Sequence, residues 1–378
     1  MNEQNNKQNA KQTVTQNTKQ TVMQNTIEKT NAAAVKAEGP AVDMVATARS
    51  VQEASASWQD PSALKIAAPA KVNLFLGIGG RRDDGYHEAV SVLHAVALHD
   101  VLYMRRTSSE AIPESAFEAG EAALAGSQKN IAVRLALASC EGLDPLPVAC
   151  AENIVFRAVN ALACELGITK PDSLEMRLEK HIPHQAGLGG GSSDAAAALL
   201  GAAKFWGVAP GDPAVERVAR TLGSDVAFFL HGGCAYFDGA GERFVRTLEP
   251  MKCALVLIKP ASGVSTAAAY QTYDKDPMPV DECGLRQAET AVCAADVPLF
   301  NNLTAASERL LPELSAVREW AQSQPGVTDV LLCGSGSATF AMVDDFGRAC
   351  RLSAAAQARG FWARTTLLGS LKAAIVPK

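Results

Sequence analysis

The residues best suited to chemistry lie in one glycine-rich stretch, which runs from residue 183 to residue 193 and reads PHQAGLGGGSS. Because glycine has no Cβ, its backbone N–H group can approach an anion closely, and several such groups can curve around one. A helix that starts here would add unpaired N–H donors and the positive end of its dipole. The stretch therefore predicts a phosphate-binding loop, with a polyphosphate as its natural ligand.

Two serines close this stretch, and their hydroxyl groups have more than one use. Ser192 or Ser193 could cap the following helix by accepting a hydrogen bond from its backbone. Either hydroxyl could instead contact a phosphate or a metal ion. The sequence leaves both uses open.

The segments on either side of the loop predict how it is held. Residues 174–180, LEMRLEK, alternate apolar and charged side chains, which indicates a half-buried strand. Residues 195–206 consist largely of strong helix formers and begin with a run of alanines. The predicted unit is a strand, a glycine-rich loop and the N-terminus of a helix.

Other interpretations of the loop fit less well. A tight turn with a capped helix would need no ligand, and it is the default for a glycine run alone. A Walker A loop is excluded because no Gly-Lys-Ser/Thr follows. A dinucleotide fingerprint needs an acid that ends a second strand about twenty residues later. Asp212 is the acid at that spacing, but it lies in the turn PGDP.

A second candidate for chemistry is Asp225, which stands directly before the apolar run 226–230. A carboxylate at such a position is costly unless it is solvated, caps a helix or has a function. Aspartate is a good N-cap residue, and a cap does not exclude a catalytic role. The sequence keeps both interpretations.

Two motifs together resemble a known family. The order Pro-x-x-x-Gly-Leu-Gly-Gly-Gly-Ser-Ser resembles the nucleotide loop of the GHMP kinase superfamily. Residues 69–88, PAKVNLFLGIGGRRDDGYHE, resemble the opening of its 4-diphosphocytidyl-2-C-methyl-D-erythritol kinase family, which serves isoprenoid precursor synthesis by the methylerythritol phosphate route. The resemblance extends over about 64–98 and 152–340, in several separate motifs.

The resemblance implies an ATP-dependent kinase that phosphorylates the 2-hydroxyl of 4-diphosphocytidyl-2-C-methyl-D-erythritol, with Mg²⁺ at the phosphates. It implies that Asp225 is the catalytic base and that Lys71, the second catalytic residue, meets it at the mouth of the loop and stabilises charge during the transfer. Lys71 and Asn73 would line the acceptor site. Tyr86 and His87 would hold the cytosine ring. For the metal, Ser192 or Ser193 is the candidate ligand. The implied ATP-binding residues are Pro183, His184, Gln185, Ala186, Gly187, Leu188, Gly189, Gly190, Gly191, Ser192 and Ser193.

Two rival functions stay open at this point. One is a GHMP kinase for another small alcohol, of the mevalonate or homoserine type. The other is a catalytically silent GHMP-fold protein that binds nucleotide, although the presence of both Lys71 and Asp225 argues against it.

The resemblance also implies an α+β fold with two domains. Residues 62–242 would form the N-terminal GHMP domain, which is ribosomal-protein-S5-like and binds the nucleotide and the acceptor. Residues 243–378 would form a C-terminal α/β sandwich domain. The stretch 107–151 does not follow the family pattern, and we expect a surface insertion that contains a helix over 130–140.

Several local patterns predict further elements. Pro69 interrupts a strand over 65–76, which indicates an edge strand or a bulge. Gly167 is expected to end a helix that starts near residue 152, and Ser265 to cap another. The Gly-Ser-Gly-Ser sequence inside 331–340 predicts a loop between two strands. Asn302 stands where the family usually has an acid, which puts a charge role at that position in doubt.

Composition bounds the remaining possibilities. Residues 1–60 contain a tandem octapeptide and few aromatic residues, so we predict a disordered tail, either a solvated extension or an over-long gene start. The nine cysteines include no C-x-x-C pair, which favours a reducing, cytoplasmic location over a disulfide framework or zinc site. A net charge of −5 makes non-specific nucleic-acid binding unexpected, and no apolar run is long enough to span a membrane.

Overall fold

The structure is a computed structural model that describes Trp58 and residues 61–83, 85–107, 121–125, 131–140, 143, 153–170, 172–209 and 211–377. Apart from Trp58, the tail predicted for residues 1–60 lies outside the described residues. Residues 60–378 form a single compact unit.

The strands of the described residues form two sheets. They are β1 (Leu64–Arg81), β2 (His87–Arg106), β3 (Glu121–Ala125), β4 (Ile131–Ser139), β5 (Asp172–Lys180), β6 (Cys234–Asp238), β7 (Arg243–Leu248), β8 (Ala254–Lys259), β9 (Phe300–Asn301), β10 (Val327–Leu332), β11 (Thr339–Val343), β12 (Trp362–Leu367) and β13 (Ala374–Val376).

Helices cover these sheets and connect their strands. Within the described residues they are α1 (Ile154–Glu165), α2 (Gly190–Phe205), α3 (Pro213–Leu222), α4 (Ser224–His231), α5 (Thr266–Tyr273), α6 (Glu282–Thr290), α7 (Thr304–Leu310), α8 (Glu313–Gln322) and α9 (Phe346–Ala358). A short 3₁₀ turn spans Ala294–Asp296.

The first sheet is organised around the long hairpin of β1 and β2. Its order is β13-β1-β2-β5-β4-β3, while β6 pairs with β2 and β7, and β9 pairs with β1. Three strands, β7, β9 and β13, come from the segment predicted to be the second domain, yet they join this first sheet. The predicted boundary between residues 242 and 243 therefore stays a prediction.

The proline in β1 has the effect expected from the sequence. The register between β1 and β2 shifts between Pro69 and Ala70, which is a bulge. Proline has no N–H to give to the ladder, so an irregularity there costs no hydrogen bond. The bulge lies two residues before Lys71, whose own N–H group leaves the strand ladder and donates to Leu188 O at 3.0 Å.

The helix expected over 130–140 is wrong, because the structure forms the strand β4 there. Ile131, Val133 and Leu135 are buried, so the stretch is also not a surface insertion throughout. The apolar residues recur every second position, which is the period of a strand. β4 pairs in parallel with β5 and thereby extends the sheet that carries the glycine-rich loop.

The second sheet has the order β10-β11-β8-β12 and is antiparallel throughout. Its strand pair β10–β11 confirms the predicted strand, glycine-serine loop and strand. One hydrophobic core contains residues of the first sheet and of α1–α4. A second core joins side chains from both sheets, such as Val72 and Leu257, so the two sheets share a packed interface.

No helix among the described residues is long and apolar enough to cross a membrane. The eight cysteines in the described part of the chain are all free. The cytoplasmic location stays a prediction.

A buried histidine on β2 is expected to make the stability of the fold depend on pH. His94 is fully buried, and Met251 N–H donates to its Nε2 at 3.1 Å. Since that nitrogen accepts, the proton lies on Nδ1, which donates to Ala95 O at 2.9 Å. Burial lowers the pKa of His94, because a second proton would put an uncompensated charge in the core.

This geometry predicts how stability changes with pH. A histidine whose pKa is lowered by folding takes up its proton more readily in the unfolded chain. Stability is therefore complete above the ordinary value of 6.5 and falls below it, by up to about 1.4 kcal/mol per pH unit. His94→Gln keeps an acceptor for Met251, and its melting temperature should fall less between about pH 7.5 and about pH 5.5 than that of the wild type.

The control for this measurement is the exposed His99, also on β2. His99→Gln should keep the wild-type dependence on pH. An unchanged slope in His94→Gln would contradict the assignment, because the acid sensitivity would then come from other groups, such as His181, whose pKa burial also lowers.

Candidate active site

The glycine-rich loop lies between β5 and α2, as the sequence predicts. Gly187 and Gly189 have φ values of 74° and 70°, which is the left-handed region that glycine tolerates best. Of the two uses that the sequence leaves open for Ser192 and Ser193, capping of the following helix is wrong. Gly189 occupies the N-cap position without a side-chain hydrogen bond, and Ser192 and Ser193 lie inside the first turn.

A second glycine-rich loop, Gly334–Ser337, packs against the first one through backbone hydrogen bonds. Ser337 N–H donates to Gln185 O and Ala338 N–H donates to Ala186 O, both at 3.0 Å. A side-chain carbon on Gly187 would lie only 1.8 Å from Cys333 O. The two loops therefore meet backbone to backbone, at a distance that only glycine permits.

The phosphate loop also contacts β1 and α4. A side-chain carbon on Gly189 would lie 2.8 Å from Phe229 Cζ on α4 and 3.0 Å from Lys71 Cγ on β1. Together with the Lys71 N–H bond to Leu188 O, this packing fixes Lys71 beside the loop.

Lys71 and Asp225 are far apart in the sequence, and the fold brings them together. Lys71 Nζ lies 3.4 Å from Asp225 Oδ2, with 6% and 28% of the two side chains exposed. Asp225 is the second residue of α4, whose N-cap is Gly223, so the capping role weighed for it is wrong. Its carboxylate is instead directed to a buried ammonium at the rim of the loop.

A short chain of hydrogen bonds orients Lys71. Its Nζ donates to Asn73 Oδ1 at 2.9 Å, and Asn73 Nδ2 donates to Ser91 Oγ at 2.9 Å. Ser91 Oγ donates to Phe75 O at 3.3 Å. Asn73 is thus adjacent to Lys71, as predicted, while Ser91 was not anticipated because an isolated serine in a strand gives no signal.

The two predicted base-binding residues differ in environment. Tyr86 is 68% exposed at the turn of the β1–β2 hairpin. The side chain of His87 is 9% exposed, and its Nε2 lies 2.6 Å from Asp274 Oδ1. The His87 ring is also 5.3 Å from that of Tyr270 on α5.

Tyr270 lies between this aromatic group and the pair of Lys71 and Asp225. Burial raises the pKa of Tyr270 to about 12, and the negative charge of Asp225 adds to the effect. The Tyr270 ring thus contacts His87 and lies within electrostatic range of Asp225. Tyr270 and Asp274 were missed from the sequence because both belong to an ordinary helix end, and nothing in their spacing points to the hairpin.

The cradle of the phosphate loop opens to a cavity of about 400 Å³. Its walls contain loop residues together with groups outside the loop, namely Asn153, Ile154, Lys180, Ile182 and Asp194. Asn153 caps α1 by accepting from Val155 N–H at 3.0 Å. All eleven residues of the predicted ATP loop except Ser193 line this cavity.

The part of the chain that the structure describes holds no group of three or more His, Cys, Asp or Glu side chains arranged for a metal ion. Of the two candidate serines, Ser192 lines the loop cavity, where its hydroxyl could contact a metal ion, whereas the Ser193 hydroxyl is buried without a hydrogen-bond partner among the described residues.

Asn302, which replaces the expected acid, has a structural role. Its Oδ1 accepts from Ile78 N–H at 2.9 Å, and its Nδ2 donates to Ile78 O at 2.9 Å and to Met278 O at 3.0 Å. The neighbouring Asn301 donates to Leu332 O and Gly334 O and so supports the second glycine loop.

Comparison with known protein families agrees with this geometry. Residues 153–233 match the family described as the GHMP kinases N terminal domain, and residues 289–360 match the GHMP kinases C terminal family. The first segment contains the glycine-rich loop and Asp225, and the second contains the other glycine loop. These matches confirm the predicted fold class.

A solved structure titled as 4-(cytidine 5'-diphospho)-2C-methyl-D-erythritol kinase is similar over 81% of this chain and 99% of its own, with 32% identity and a TM-score of 0.62. A homoserine kinase from Cytophaga hutchinsonii, at 16% identity and a TM-score of 0.57, and a mevalonate kinase, at 13% and 0.55, share the fold.

Comparison with curated sequences identifies the family within the GHMP kinases more specifically. The 4-diphosphocytidyl-2-C-methyl-D-erythritol kinase of Desulfitobacterium hafniense is 36% identical over 311 residues, which cover 80% of this chain and 96% of the relative. The enzyme of the same name from Polaromonas naphthalenivorans is 35% identical over 74% of this chain and 86% of its own. The chain therefore belongs to the 4-diphosphocytidyl-2-C-methyl-D-erythritol kinase family of the GHMP kinases.

Proposed function

We propose that the chain transfers the γ-phosphoryl group of ATP to the 2-hydroxyl of 4-diphosphocytidyl-2-C-methyl-D-erythritol and releases ADP. The observation that carries the proposal is the pair of Lys71 and Asp225, 3.4 Å apart beside the glycine-rich loop. An alcohol kinase needs a base, a cation and a phosphate cradle at one point, and these three groups come from separate segments of the chain.

Phosphoryl transfer asks a protein mainly for positioning and for stabilisation of charge. The backbone N–H groups of residues 187–191 would hold the phosphates, helped by the N-terminus of α2. Asp225 would accept the proton of the attacking hydroxyl. The Lys71 ammonium would stabilise negative charge on that oxygen, and its bond to Asn73 keeps it directed at the acceptor.

Magnesium supplies charge neutralisation at the β- and γ-phosphates when it is bound. On this chain the residue that would hold it is Ser193 or Ser192, together with phosphate oxygens and water. The position of Ser192 on the wall of the loop cavity, which Ser193 does not line, supports Ser192.

Residues of the hairpin turn and of α5 would select the acceptor. The exposed Tyr86 ring can stack on a base, and His87 can hydrogen-bond its edge. Asp274, at 2.6 Å from His87 Nε2, fixes the orientation of that imidazole. The Tyr270 ring, 5.3 Å from that of His87, would form an aromatic wall next to the proposed cytosine site.

The first prediction concerns the catalytic pair. Asp225→Asn removes the base but keeps the volume, and Lys71→Ala removes the cation. Each should lower kcat by on the order of 10²–10⁴, which is the contribution of a positioned acid–base group. The dissociation constant of ADP, measured by calorimetry, should change little, because neither group belongs to the loop backbone.

Asp345→Asn is a matched control for this experiment. Asp345 caps α9 from the surface, and asparagine caps equally well, so turnover should stay at the wild-type level. Wild-type turnover in purified Asp225→Asn would refute the assignment of the base.

The second prediction concerns recognition of the cytidine group. His87→Ala and Tyr86→Ala should each raise KM for the cytidine substrate by about tenfold, the equivalent of one lost hydrogen bond or stacking contact. KM for ATP should stay within experimental error, since the hairpin turn does not line the loop cavity. An equal rise in both constants would contradict a role in base recognition.

A substrate panel separates the proposal from its rivals. The purified chain is offered ATP with the cytidine substrate, mevalonate or homoserine, and ADP formation is followed. We expect turnover with the cytidine substrate. Phosphorylation of mevalonate or homoserine alone would favour another alcohol kinase, and nucleotide binding without turnover on any alcohol would favour a silent protein.

A further inference from the structure

A cluster of buried charges lies behind the phosphate loop and is not used by the proposed chemistry. Lys180, at the end of β5, donates from Nζ to Asp194 Oδ2 at 2.6 Å and to Asp100 Oδ2. The three side chains are between 0% and 5% exposed. Charges are rarely buried to this extent without partners, and here each of the three has one.

The cluster connects both ends of the loop to the first sheet. Asp100 lies on β2, and its Oδ1 accepts from the N–H groups of His181 and Ile182, where the chain leaves β5. Asp194 lies in α2, one residue after the loop ends. Lys180 bridges the two carboxylates, so the entry and the exit of residues 183–193 are tied at one point.

The cluster also lies next to the cradle itself. A side-chain carbon on Gly190 would lie 3.4 Å from Lys180 Nζ, and both Lys180 and Asp194 line the loop cavity. Lys180 therefore lines the cavity in which the phosphates would bind. The hairpin turn of Tyr86 and His87 does not line this cavity.

Burial and ion pairing have opposite effects on the pKa values of Lys180 and Asp194. Burial alone would lower the pKa of Lys180, but the attraction of Asp194 and Asp100 outweighs it, so the pKa is raised and the ammonium persists. Burial raises the pKa of Asp194 well above its ordinary range, against the attraction of Lys180. Among the described residues, Asp194 Oδ1 has no hydrogen-bond partner.

We propose that Lys180, Asp100 and Asp194 are positioning residues for the nucleotide, because they hold the two ends of the phosphate loop at the spacing that shapes its cradle. The inference rests on the proposed function only in that the loop takes a nucleotide. It does not depend on which alcohol is phosphorylated.

The test uses Lys180→Met in the full chain, with Mg²⁺-ADP as the probe in a calorimetric titration without acceptor. Methionine keeps most of the volume but leaves two carboxylates without their cation, so the loop ends lose their bridge. The dissociation constant of ADP should rise by about tenfold or more. In turnover assays KM for ATP should rise in parallel, while KM for the cytidine substrate stays within about threefold.

Arg105→Met is the matched control. Arg105 pairs with Glu175 across β2 and β5 at 2.7 Å, in the same sheet but without lining the loop cavity. This variant should lose some thermal stability and keep its nucleotide affinity. If Arg105→Met weakened ADP binding as much as Lys180→Met, the effect would be general destabilisation and the proposal would be overturned.

A milder variant covers the case in which Lys180→Met does not fold. Asp194→Asn keeps the shape and an acceptor for Lys180 but removes the charge, and we expect ADP affinity to fall about threefold to tenfold. Hydrogen exchange should rise at the amides of 181–182 and 190–193 and stay unchanged in β8 and β11. Wild-type affinity with wild-type exchange would refute the positioning role.

The two proposals fail in different ways. If the panel of alcohols shows another substrate, the ADP titrations still decide the role of the cluster. If Lys180→Met binds ADP as the wild type does, the cluster has no part in positioning, and the assignments of Lys71 and Asp225 are unaffected.

Discussion

The site depends on one close approach between two backbones. Gly187 lies against the carbonyl of Cys333 at a distance that leaves no room for a side-chain carbon. Two further hydrogen bonds from Ser337 and Ala338 lock the loops together. Because Gly187 belongs to the segment after β5 and Cys333 to the segment after β10, this contact joins the two sheets at the phosphate cradle. The cradle is therefore a product of the whole fold.

Two groups of charged side chains lie next to the cradle, and they differ in how far they are buried. The Asp225 side chain is 28% exposed beside Lys71, so in the proposed function it could meet an incoming hydroxyl. The side chains of Lys180, Asp100 and Asp194 are almost fully enclosed and pair with one another, while Asp194 Oδ1 has no hydrogen-bond partner among the described residues. In the proposed function the exposed carboxylate meets the substrate, while the enclosed cluster holds the loop that lines the cavity.

Much of the site was predictable because its local structure depends on the types of neighbouring residues in the sequence. The glycine-rich loop, its strand and its helix follow from residue types alone, and the pairing of Lys71 with Asp225 followed from family resemblance. The strand β4 was missed because its alternation lay in an alanine-rich stretch that also suits a helix. The charged cluster was missed because contacts across the sheet leave no spacing in the sequence, although Asp194 before a run of alanines is a signal of a buried acid.

The asparagine at position 302 shows how chemistry can explain a departure from a family pattern. Its amide accepts from Ile78 N–H and donates to the carbonyls of Ile78 and Met278. A carboxylate could accept the first bond, but it has no hydrogen to give to two carbonyl oxygens and would face them with a negative charge. In this chain these hydrogen bonds therefore require an amide. Through Ile78 the Asn302 amide holds β1, the strand that carries Lys71 and Asn73. In this chain the substitution belongs to the scaffold of the site.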